Sequence, residues 1–339
     1  VRPQGEAEHP HIKQELLLNT IEVISGINDT VGGAADDLER AIAEVRAVTD
    51  PLRVELMCAG THPFARWNQQ KVTNKERYAT LIDRTQWWGR QMLIYGVHVH
   101  VGIDDRAKVL PIMRAMMTLL PRLQSFSASS PFWGGEDTGY ASNRALMFQQ
   151  LPTAGLPFDL ATWPELEQYA GDMLHTGVID AFNEVRWDIR PAPHLGTIEV
   201  RVSDGTPSIL ELRALAAFVH CAIEHFSTML DNGLELPHMP PWYVQENKWR
   251  SARYGMDAII ILDAEGNEEL VTDAVSRWID VLAPVAQRLG CAQDLDILCV
   301  FQRRGAPYPR QRAVARRASG ALDAVVSSLV REMRAGTPL

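Results

Sequence analysis

The chain has 339 residues, with 33 Lys and Arg against 42 Asp and Glu, which gives a formal net charge of −9. This charge argues against non-specific nucleic-acid binding, because such binding depends on dense positive charge that neutralises phosphates. A composition of 46% hydrophobic and 22% charged residues excludes wholesale disorder. No apolar run approaches the roughly 20 residues that span a bilayer. The sequence therefore predicts neither a nucleic-acid nor a membrane partner.

Cysteine usage and the start of the chain bear on location and organisation. The 4 cysteines lack zinc-like spacing and are too few for a disulfide scaffold of this size, so we predict reduced thiols in the cytoplasm. The first residues show no signal-peptide pattern, and the absence of an initial Met leads us to expect that the natural protein has more sequence upstream. No repeat or linker divides the chain, which predicts a single domain over residues 1–339.

Hydrophobic periodicity predicts the order of the elements. A helical turn passing into a strand is expected over residues 15–26, and a long surface loop over 125–144. Apolar residues at helical spacing predict helices at 34–48, 74–93, 104–121, 208–230 and beyond 273. We expect Thr73 or Asn74 to cap the second of these helices, Pro111 to interrupt the third, and the capping-box pattern of Ser208 and Glu211 to begin the fourth. Alternation predicts strands at 54–58, 94–103, 184–190, 196–203, 259–262 and 269–271. Short connections between strands favour antiparallel pairing, so the fold class is α+β.

The strand over 94–103 carries two imidazoles on one face. In Val97-His98-Val99-His100-Val101 the valines alternate with the histidines, which predicts that His98 and His100 lie opposite the core. Their spacing of about 6.6 Å along a strand would let both serve one polar site. A wet outer face with incidental histidines is the alternative.

Two further predicted strands show the same alternation. Glu199 and Arg201 share the polar face of their strand, a combination suited to a divalent cation and the phosphate that it bridges. The alternative is a cross-strand ion pair on a solvated sheet. Arg186, Asp188 and Arg190 share one face of the neighbouring strand. Convergent charge on three strands favours a metal–polyphosphate site, and its residues should be replaceable without loss of the fold because they face away from the predicted core.

Other charged residues remain ambiguous from spacing alone. Glu15 and Glu22 converge only if the chain passes from helix to strand between them, and are otherwise solvated carboxylates. Lys248, Arg250 and Arg253 are either phosphate clamps for a nucleotide or ordinary helix charges. No GxSxG, Walker A, Rossmann or HExxH motif occurs, so ATP, if used, would be held without a phosphate-cradling glycine loop.

Several segments together resemble the carboxylate–amine ligases of the glutamate–cysteine ligase type 2 family. The segments are Lys13–Val23, Ala59–Trp67, Gly96–Gly102, Ser127–Arg144, Trp187–Pro191 and Thr197–Val202. Segments similar to the actinobacterial branch are Trp87-Trp88, Met239–Trp242 and Glu246–Trp249. The resemblance implies a glutamine synthetase-like catalytic domain, with a curved antiparallel sheet of about six strands and helices packed outside it.

The resemblance also implies an activity and its small-molecule partners. Glutamate, ATP and an amine such as cysteine would be the substrates, with Mg²⁺ or Mn²⁺ as the cation. The γ-carboxylate of glutamate would attack the γ-phosphate of ATP, and the amine would displace phosphate from the acyl phosphate to give a γ-glutamyl amide. The protein would act by positioning and charge neutralisation. The fold class allows a homodimer.

Roles for single residues follow from the matching motifs. The implied metal ligands are Glu15, Glu22, His98 and Glu199. The implied catalytic residues are Arg201, His100 and Arg190, of which His100 and Arg201 would also contact the nucleotide. The implied substrate-binding residues are Thr61, His62, Arg66, Asn143 and Arg144.

One departure from the family leaves alternatives open. The family begins with a strand of the pattern Gly-Val-Glu-x-Glu that supplies metal ligands, and this chain has only the polar Glu6-Ala-Glu8 there. We expect that the strand is missing from this sequence rather than lost by the protein. A degenerate relative that binds nucleotide or metal without turnover is the second hypothesis. A zinc hydrolase using His98, His100 and Glu199 is the third.

Overall fold

A computed structural model describes residues 9–339, and Glu6-Ala-Glu8 lies outside the described residues. Helices form most of the regular structure. In chain order they are α1 Val31–Thr49, α2 Glu76–Arg90, α3 Arg106–Met117, α4 Leu120–Ser127, α5 Asn143–Phe148, α6 Trp163–His175, α7 Ile209–Asp231, α8 Pro241–Tyr254, α9 Val271–Arg288, α10 Ala292–Arg304, α11 Pro307–Arg317 and α12 Leu322–Ala335. Most of the helices expected from periodicity are therefore present.

The strands are short and antiparallel. They are β1 Ile12–Gln14, β2 Ile21–Val23, β3 Val99–Gly102, β4 Phe132–Trp133, β5 Glu136–Asp137, β6 Ile189–Ala192, β7 Thr197–Val200, β8 Ile259–Ile261 and β9 Glu268–Leu270. The largest sheet in residues 9–339 has the order β3-β7-β6, and the other strands form two-stranded hairpins. The α+β class is confirmed, but the six-stranded sheet is not seen there: β3 and β7 are continued by a single bridge between Gly96 and Asp204.

The central sheet brings three polar side chains into one row. A tight turn ending at Gly196, which has a φ of +65°, connects β6 to β7. The antiparallel register places Glu199 opposite Arg190 on β6 and opposite His100 on β3. Because side chains alternate along a strand, these residues share a face while Ile198 and Val200 are buried on the other.

The main core lies between this sheet and the long helices. Phe218 and Phe226 of α7 are fully buried, and Phe126 of the buried helix α4 packs edge-on against Phe218 at a centroid distance of 5.6 Å. Val99 and Val101 pack against the same cluster from the sheet, as alternation predicted. The apolar face of the sheet is thus fixed, which leaves its polar face for other contacts.

Helix starts agree with the sequence in part. Ser208 caps α7, as the capping-box pattern predicted, and its hydroxyl donates to the Glu211 carboxylate at 2.8 Å. Pro111 lies within α3 instead of interrupting it, and Pro121 stands in the first turn of α4, where no N–H is needed. The Thr73 or Asn74 cap predicted for α2 is wrong: Lys75 occupies that position, and the Thr73 hydroxyl instead donates to the Glu15 carbonyl at 2.5 Å.

Three local predictions are wrong for identifiable reasons. Residues 54–58 form no strand, since their alternating pattern finds no neighbouring strand to pair with. The expected helical turn after residue 15 is part of the β1–β2 connection. Residues 125–144 are largely buried instead of forming a surface loop, because the Asp204 carboxylate accepts hydrogen bonds from Ser129 N and from the hydroxyls of Ser130 and Ser142 at 2.7–2.9 Å.

All four cysteines carry free thiols, and the Sγ atoms of Cys221 and Cys291 lie 3.5 Å apart in the core. Among residues 9–339, none of the helices combines the length and the apolar character that crossing a membrane requires.

The cap of α7 can be tested by Ser208→Ala. The change removes the acceptor for Glu211 N and a hydroxyl that bonds a buried carboxylate, so we expect the free energy of unfolding to fall by about 1–2 kcal/mol. Urea denaturation measures it. Ser276→Ala, at an exposed position of α9, is the control and should change stability by less than about 0.5 kcal/mol. Equal effects of the two substitutions would contradict the capping role.

Candidate functional site

The polar face of the central sheet holds five side chains in mutual contact, which we call the strand cluster: His98, His100, Arg190, Glu199 and Arg201. The Glu199 carboxylate is its centre, with only 3% of its side chain exposed. Arg190 Nε donates to Glu199 Oε2 at 2.6 Å, and Arg201 donates to Glu199 Oε1. The predicted convergence of these groups is therefore present. Because Glu199 is buried, we expect its replacement to cost stability, contrary to the expectation from the sequence.

Charge balance keeps the Glu199 carboxylate ionised. Burial alone would raise the pKa of Glu199, but the positive charges of Arg201 and Arg190 outweigh that effect and hold the pKa below its ordinary value. Burial in turn lowers the pKa of Arg201 to about 10, even with Glu199 beside it. Two guanidiniums share one carboxylate, so the cluster carries an excess of positive charge.

The two histidines border the carboxylate. His98 Nδ1 lies 3.4 Å and His100 Nε2 lies 3.7 Å from Glu199 Oε1, and each side chain is about one third exposed, at 32% and 35%. Burial and the charges of Arg201 and Arg144 hold the pKa of His98 well below its ordinary value. Burial also lowers the pKa of His100, although the negative charge of Glu199 acts to raise it. Both imidazoles are therefore neutral near pH 7, the form in which histidine binds metals or accepts a proton.

Arg144 supports the cluster from behind. Its guanidinium is buried against Gly96, which precedes β3, and against the segment after β7. Its NH1 and NH2 donate to the carbonyls of Val202 and Arg201 at 3.3 and 3.4 Å. Gly96 lies so close that a Cβ there would be 2.0 Å from Arg144 NH2. Arg144 therefore positions the Arg201 backbone, and it was predicted as a substrate-binding residue.

Glu15 and Glu22 belong to the same region through electrostatics. Burial raises the pKa of Glu22, the negative charges of Glu15 and Glu199 raise it further, and Arg77 and Arg201 oppose the increase. The β1–β2 hairpin thus provides the convergence that the spacing left open, although one Glu15 oxygen accepts a hydrogen bond from Leu16 N at 2.8 Å.

The other predicted substrate-binding residues differ in burial and in their hydrogen-bond partners. The Thr61 hydroxyl is buried and donates to the Phe132 carbonyl at 2.7 Å, whereas His62 Nδ1 accepts from Ala65 N at 3.0 Å. Burial lowers the pKa of His62. Asn143 donates to the Met147 sulfur at 3.1 Å, and the Arg66 side chain is exposed. Thr61, His62 and Asn143 therefore hold their loops in shape, and none of them contacts the strand cluster.

The three cations proposed as phosphate clamps are already engaged. Lys248 is buried and pairs with Asp188 at 2.5 Å. Arg250 pairs with Glu246 and Glu268 at 2.8 and 2.5 Å on the surface. Arg253 donates to the Gly139 carbonyl and stacks on Tyr140 and Tyr254. The structure does not bring these side chains to the strand cluster, because α8 packs them against other elements.

One cavity reaches the strand cluster at Arg190, and a second lies on the other side of the turn Phe182–Glu184. The first, which we call the proline cavity, has a volume of 190 Å³ and is lined by Phe182, Asn183 and Arg190–His194. The second, which we call the arginine cavity, has a volume of 310 Å³ and lies against α2. Its main charged lining residues are Glu76, Arg77, Arg84, Asp180, Glu184 and Arg186. Arg190 NH1 donates to the carbonyls of Asn183 and Val185 at 2.7 and 2.5 Å, which ties the dividing turn to the cluster.

Sequence reasoning missed Arg77 and Arg84 of the arginine cavity. Their separation of seven residues places them on one face of α2, and that spacing is the signal that could have found them. Within residues 9–339, no three His, Cys, Asp or Glu side chains are arranged so that they could hold a metal ion. The zinc-hydrolase hypothesis therefore gains no support from the described residues.

A buried carboxylate, two guanidiniums and two neutral imidazoles beside a cavity are typical of enzymes that bind anionic substrates. A solved glutamate–cysteine ligase from Francisella tularensis in complex with AMP has the same fold, with a TM-score of 0.66 over 96% of this chain and 82% of that one at 16% sequence identity. The class of protein is thus that of the glutamate–cysteine ligase fold.

Sequence comparison identifies the family. The sequence model of glutamate–cysteine ligase family 2 matches residues 3–328, and the chain belongs to this family. A protein of Arthrobacter sp. (strain FB24) named "Putative glutamate--cysteine ligase 2-1" is 61% identical over 329 residues, which are 97% of this chain and 86% of that protein. "Putative glutamate--cysteine ligase 2" of Clavibacter michiganensis is 58% identical over 98% of this chain and 87% of that protein. The resemblance predicted from the motifs, including its actinobacterial branch, is confirmed.

The central carboxylate gives a stability test. Glu199→Gln removes the charge that Arg190 and Arg201 share, and we expect a loss of about 3 kcal/mol in the free energy of unfolding because two buried cations lose their partner. Glu268→Gln, which loosens an exposed pair with Arg250, is the matched control and should cost less than about 1 kcal/mol. Denaturant titration at pH 7 compares them, and equal small losses would refute the burial argument.

The neutral histidines predict a pH dependence of stability. Below the ordinary histidine pKa of about 6.5, the unfolded chain binds protons that folded His98 excludes, so the fold loses stability as pH falls from 7.5 to 5.5. One excluded proton contributes at most about 1.4 kcal/mol per pH unit. His98→Gln should make the measured dependence shallower, while His175→Gln on the exposed face of α6 controls for removal of an imidazole. An unchanged slope in His98→Gln would contradict the exclusion.

Proposed function

We propose that the chain is an ATP-dependent carboxylate–amine ligase that makes a γ-glutamyl amide, with γ-glutamylcysteine as the model product. The observation that carries the proposal is the strand cluster, in which Arg190 and Arg201 share the single carboxylate of Glu199. This surplus of guanidinium charge suits the transfer of a phosphoryl group, whose oxygens accept bidentate hydrogen bonds. Family membership and the AMP bound to the Francisella ligase support a nucleotide substrate.

The reaction would proceed in two balanced steps. A γ-carboxylate oxygen of glutamate attacks the γ-phosphorus of ATP, the bond to the β-phosphate oxygen breaks, and ADP leaves. The amine nitrogen then attacks the acyl carbon, phosphate leaves, and the amine loses one proton. Arg201 and Arg190 would neutralise the transferred phosphoryl oxygens, and the neutral imidazole of His100 would accept the proton.

The two cavities would separate the substrates. The proline cavity is largely apolar and contains His194, whose positive charge, when present, lowers the pKa of His100. At 190 Å³ the cavity is too small for a whole nucleotide, so we assign it only the base, against Phe182 and Pro191, with the phosphates outside it near Arg190. The turn Phe182–Glu184 would then form the boundary between nucleotide and amino-acid substrates.

The donor types of the site suit a divalent cation. Glu22 is a half-buried carboxylate whose pKa is raised by burial and by Glu15, and a cation would relieve that repulsion. Glu15, Glu22, Glu199 and the neutral His98 are the ligands that we propose for Mg²⁺ or Mn²⁺, on donor type alone, because these ions prefer carboxylate oxygens and accept an imidazole. Among residues 9–339 no three of these side chains are grouped to hold an ion, so the proposal depends on further ligands from the family's first strand. Bound there, the ion would supply charge neutralisation for the phosphates.

Other expectations stay proposals of the same kind. We propose a single domain across residues 1–339, a cytoplasmic enzyme with small-molecule substrates, and a homodimer. The Gly-Val-Glu-x-Glu strand of the family would complete the metal ligands if the natural protein supplies it.

Turnover tests the proposal directly. With ATP, Mg²⁺, glutamate and cysteine, coupled detection should show ADP release that depends on both amino acids, and hydroxylamine in place of cysteine should trap the acyl phosphate as a hydroxamate. Arg201→Lys should lower kcat at least about 100-fold, because the bidentate fork is lost. Arg277→Lys, at a surface pair with Glu269, should keep wild-type activity.

Two outcomes would count against this function. Calorimetric binding of ATP with no turnover for a full panel of amines would support the degenerate binding relative instead. Activity that requires Zn²⁺ and ignores ATP would support a hydrolase.

A further inference from the structure

The arginine cavity contains three guanidiniums that no carboxylate neutralises at close range. It lies between α2 and the segment around residues 180–186. Arg77 donates to the Tyr78 hydroxyl, Arg84 donates to the Gly177 carbonyl at 3.1 Å, and Arg186 donates to the Glu184 carbonyl at 3.0 Å. Within the part of the chain from residue 9 onward, none of the three has a carboxylate oxygen within 4 Å. Most of their N–H donors therefore remain available to a ligand.

Repulsion between neighbouring arginines favours the binding of an anion in this cavity. Burial lowers the pKa of Arg186, and repulsion from Arg84 and Arg190 lowers it further, against the attraction of Glu184. A bound carboxylate would offset this repulsion and use the fork geometry of the guanidinium.

Acidic groups occupy the same cavity without neutralising the arginines. Asp180 and Glu184 line it on the side of the dividing turn, and Glu76 lines it at the start of α2. Arginines and carboxylates that line the same cavity suit a zwitterionic ligand, whose carboxylate would bind the arginines and whose ammonium would bind the carboxylates. A volume of 310 Å³ is at the small end of ligand cavities, which suits a single amino acid.

The cavity is coupled to the strand cluster at two points. Arg77 lines the cavity and donates to the Tyr78 hydroxyl, which in turn donates to the Gln14 carbonyl of β1 at 3.1 Å, so Arg77 borders both the cavity and the acidic hairpin. Arg190 of the cluster interacts electrostatically with Arg186 and fixes the carbonyls on both sides of Glu184. A ligand in the cavity could therefore extend a short side chain toward Glu199 and Arg201.

We infer that the arginine cavity binds the α-amino-acid head of the acyl donor. The α-carboxylate contacts Arg84 and Arg186, the α-ammonium contacts Asp180 or Glu184, and the side-chain carboxylate points toward the strand cluster for phosphorylation. The inference rests on the proposed ligase function and assigns the cavity to its acidic amino-acid substrate. None of these four side chains is a member of the strand cluster.

Steady-state kinetics with two truncated donors tests the assignment. 4-Aminobutyrate keeps the reacting carboxylate of glutamate but lacks the α-carboxylate, and glutarate lacks the ammonium. Wild type should prefer glutamate to 4-aminobutyrate, and Arg84→Gln should raise the KM for glutamate by about 10–100-fold while leaving that for 4-aminobutyrate nearly unchanged. The KM for ATP should stay within about twofold.

Matched variants distinguish charge, geometry and folding. Arg186→Lys keeps the charge but removes the fork, and should also raise the KM for glutamate. Asp180→Asn should reduce discrimination against glutarate. Arg90→Gln, on α2 outside the cavity, is the control and should resemble wild type. Thermal unfolding of each variant separates lost binding from lost structure.

Failure of this inference can be told apart from failure of the ligase function. If wild type is active but Arg84→Gln and Arg186→Lys leave the glutamate KM unchanged, or raise only that of the amine, the assignment is overturned and the ligase function stands. If wild type has no turnover, calorimetry of glutamate with wild type and Arg84→Gln still tests the cavity. Equal affinities, or binding of inorganic phosphate in place of glutamate, would overturn the inference.

Discussion

The buried contact of Glu199 with Arg190 and Arg201 is the interaction on which the rest of the site depends. A lone carboxylate at this depth would be costly, and two lone guanidiniums equally so, since ions lose hydration on burial. The pairing requires β6 and β7 to meet in one register, which the turn at Gly196 sets. The same register brings His100 to the other side of Glu199. The electrostatic centre and the geometry of the sheet therefore stabilise each other.

Arg190 extends this dependence to the cavities. One of its nitrogens contacts Glu199, and another holds the carbonyls of Asn183 and Val185. The wall between the two cavities is thus attached to the carboxylate at the centre. A ligand that moved Arg190 would also move the turn Phe182–Glu184 and so change the shape of both cavities. This is a direct physical route by which two ligands could be coupled.

Alternation along single strands was enough to predict the polar face of His98, His100, Glu199 and Arg201, because the side-chain period of a strand is fixed. Matching motifs predicted the family. The partner of Lys248 could not be predicted, since Asp188 lies 60 residues away and only the packing of α8 brings them together. The burial of residues 125–144 could not be predicted for a similar reason. Serines usually indicate an exposed segment, but here the carboxylate of Asp204, distant in sequence, accepts hydrogen bonds from the hydroxyls of Ser130 and Ser142.

The position of Gly96 restricts which amino acids residue 96 can be replaced by. The backbone of most strand positions accepts a small side chain, but a methyl group at residue 96 would meet the Arg144 guanidinium at 2.0 Å. Arg144 would have to move away from the carbonyls of Arg201 and Val202. Variation at this position is therefore restricted by a side chain from a different element, and alanine there would alter the surroundings of Arg201 without replacing any charged residue.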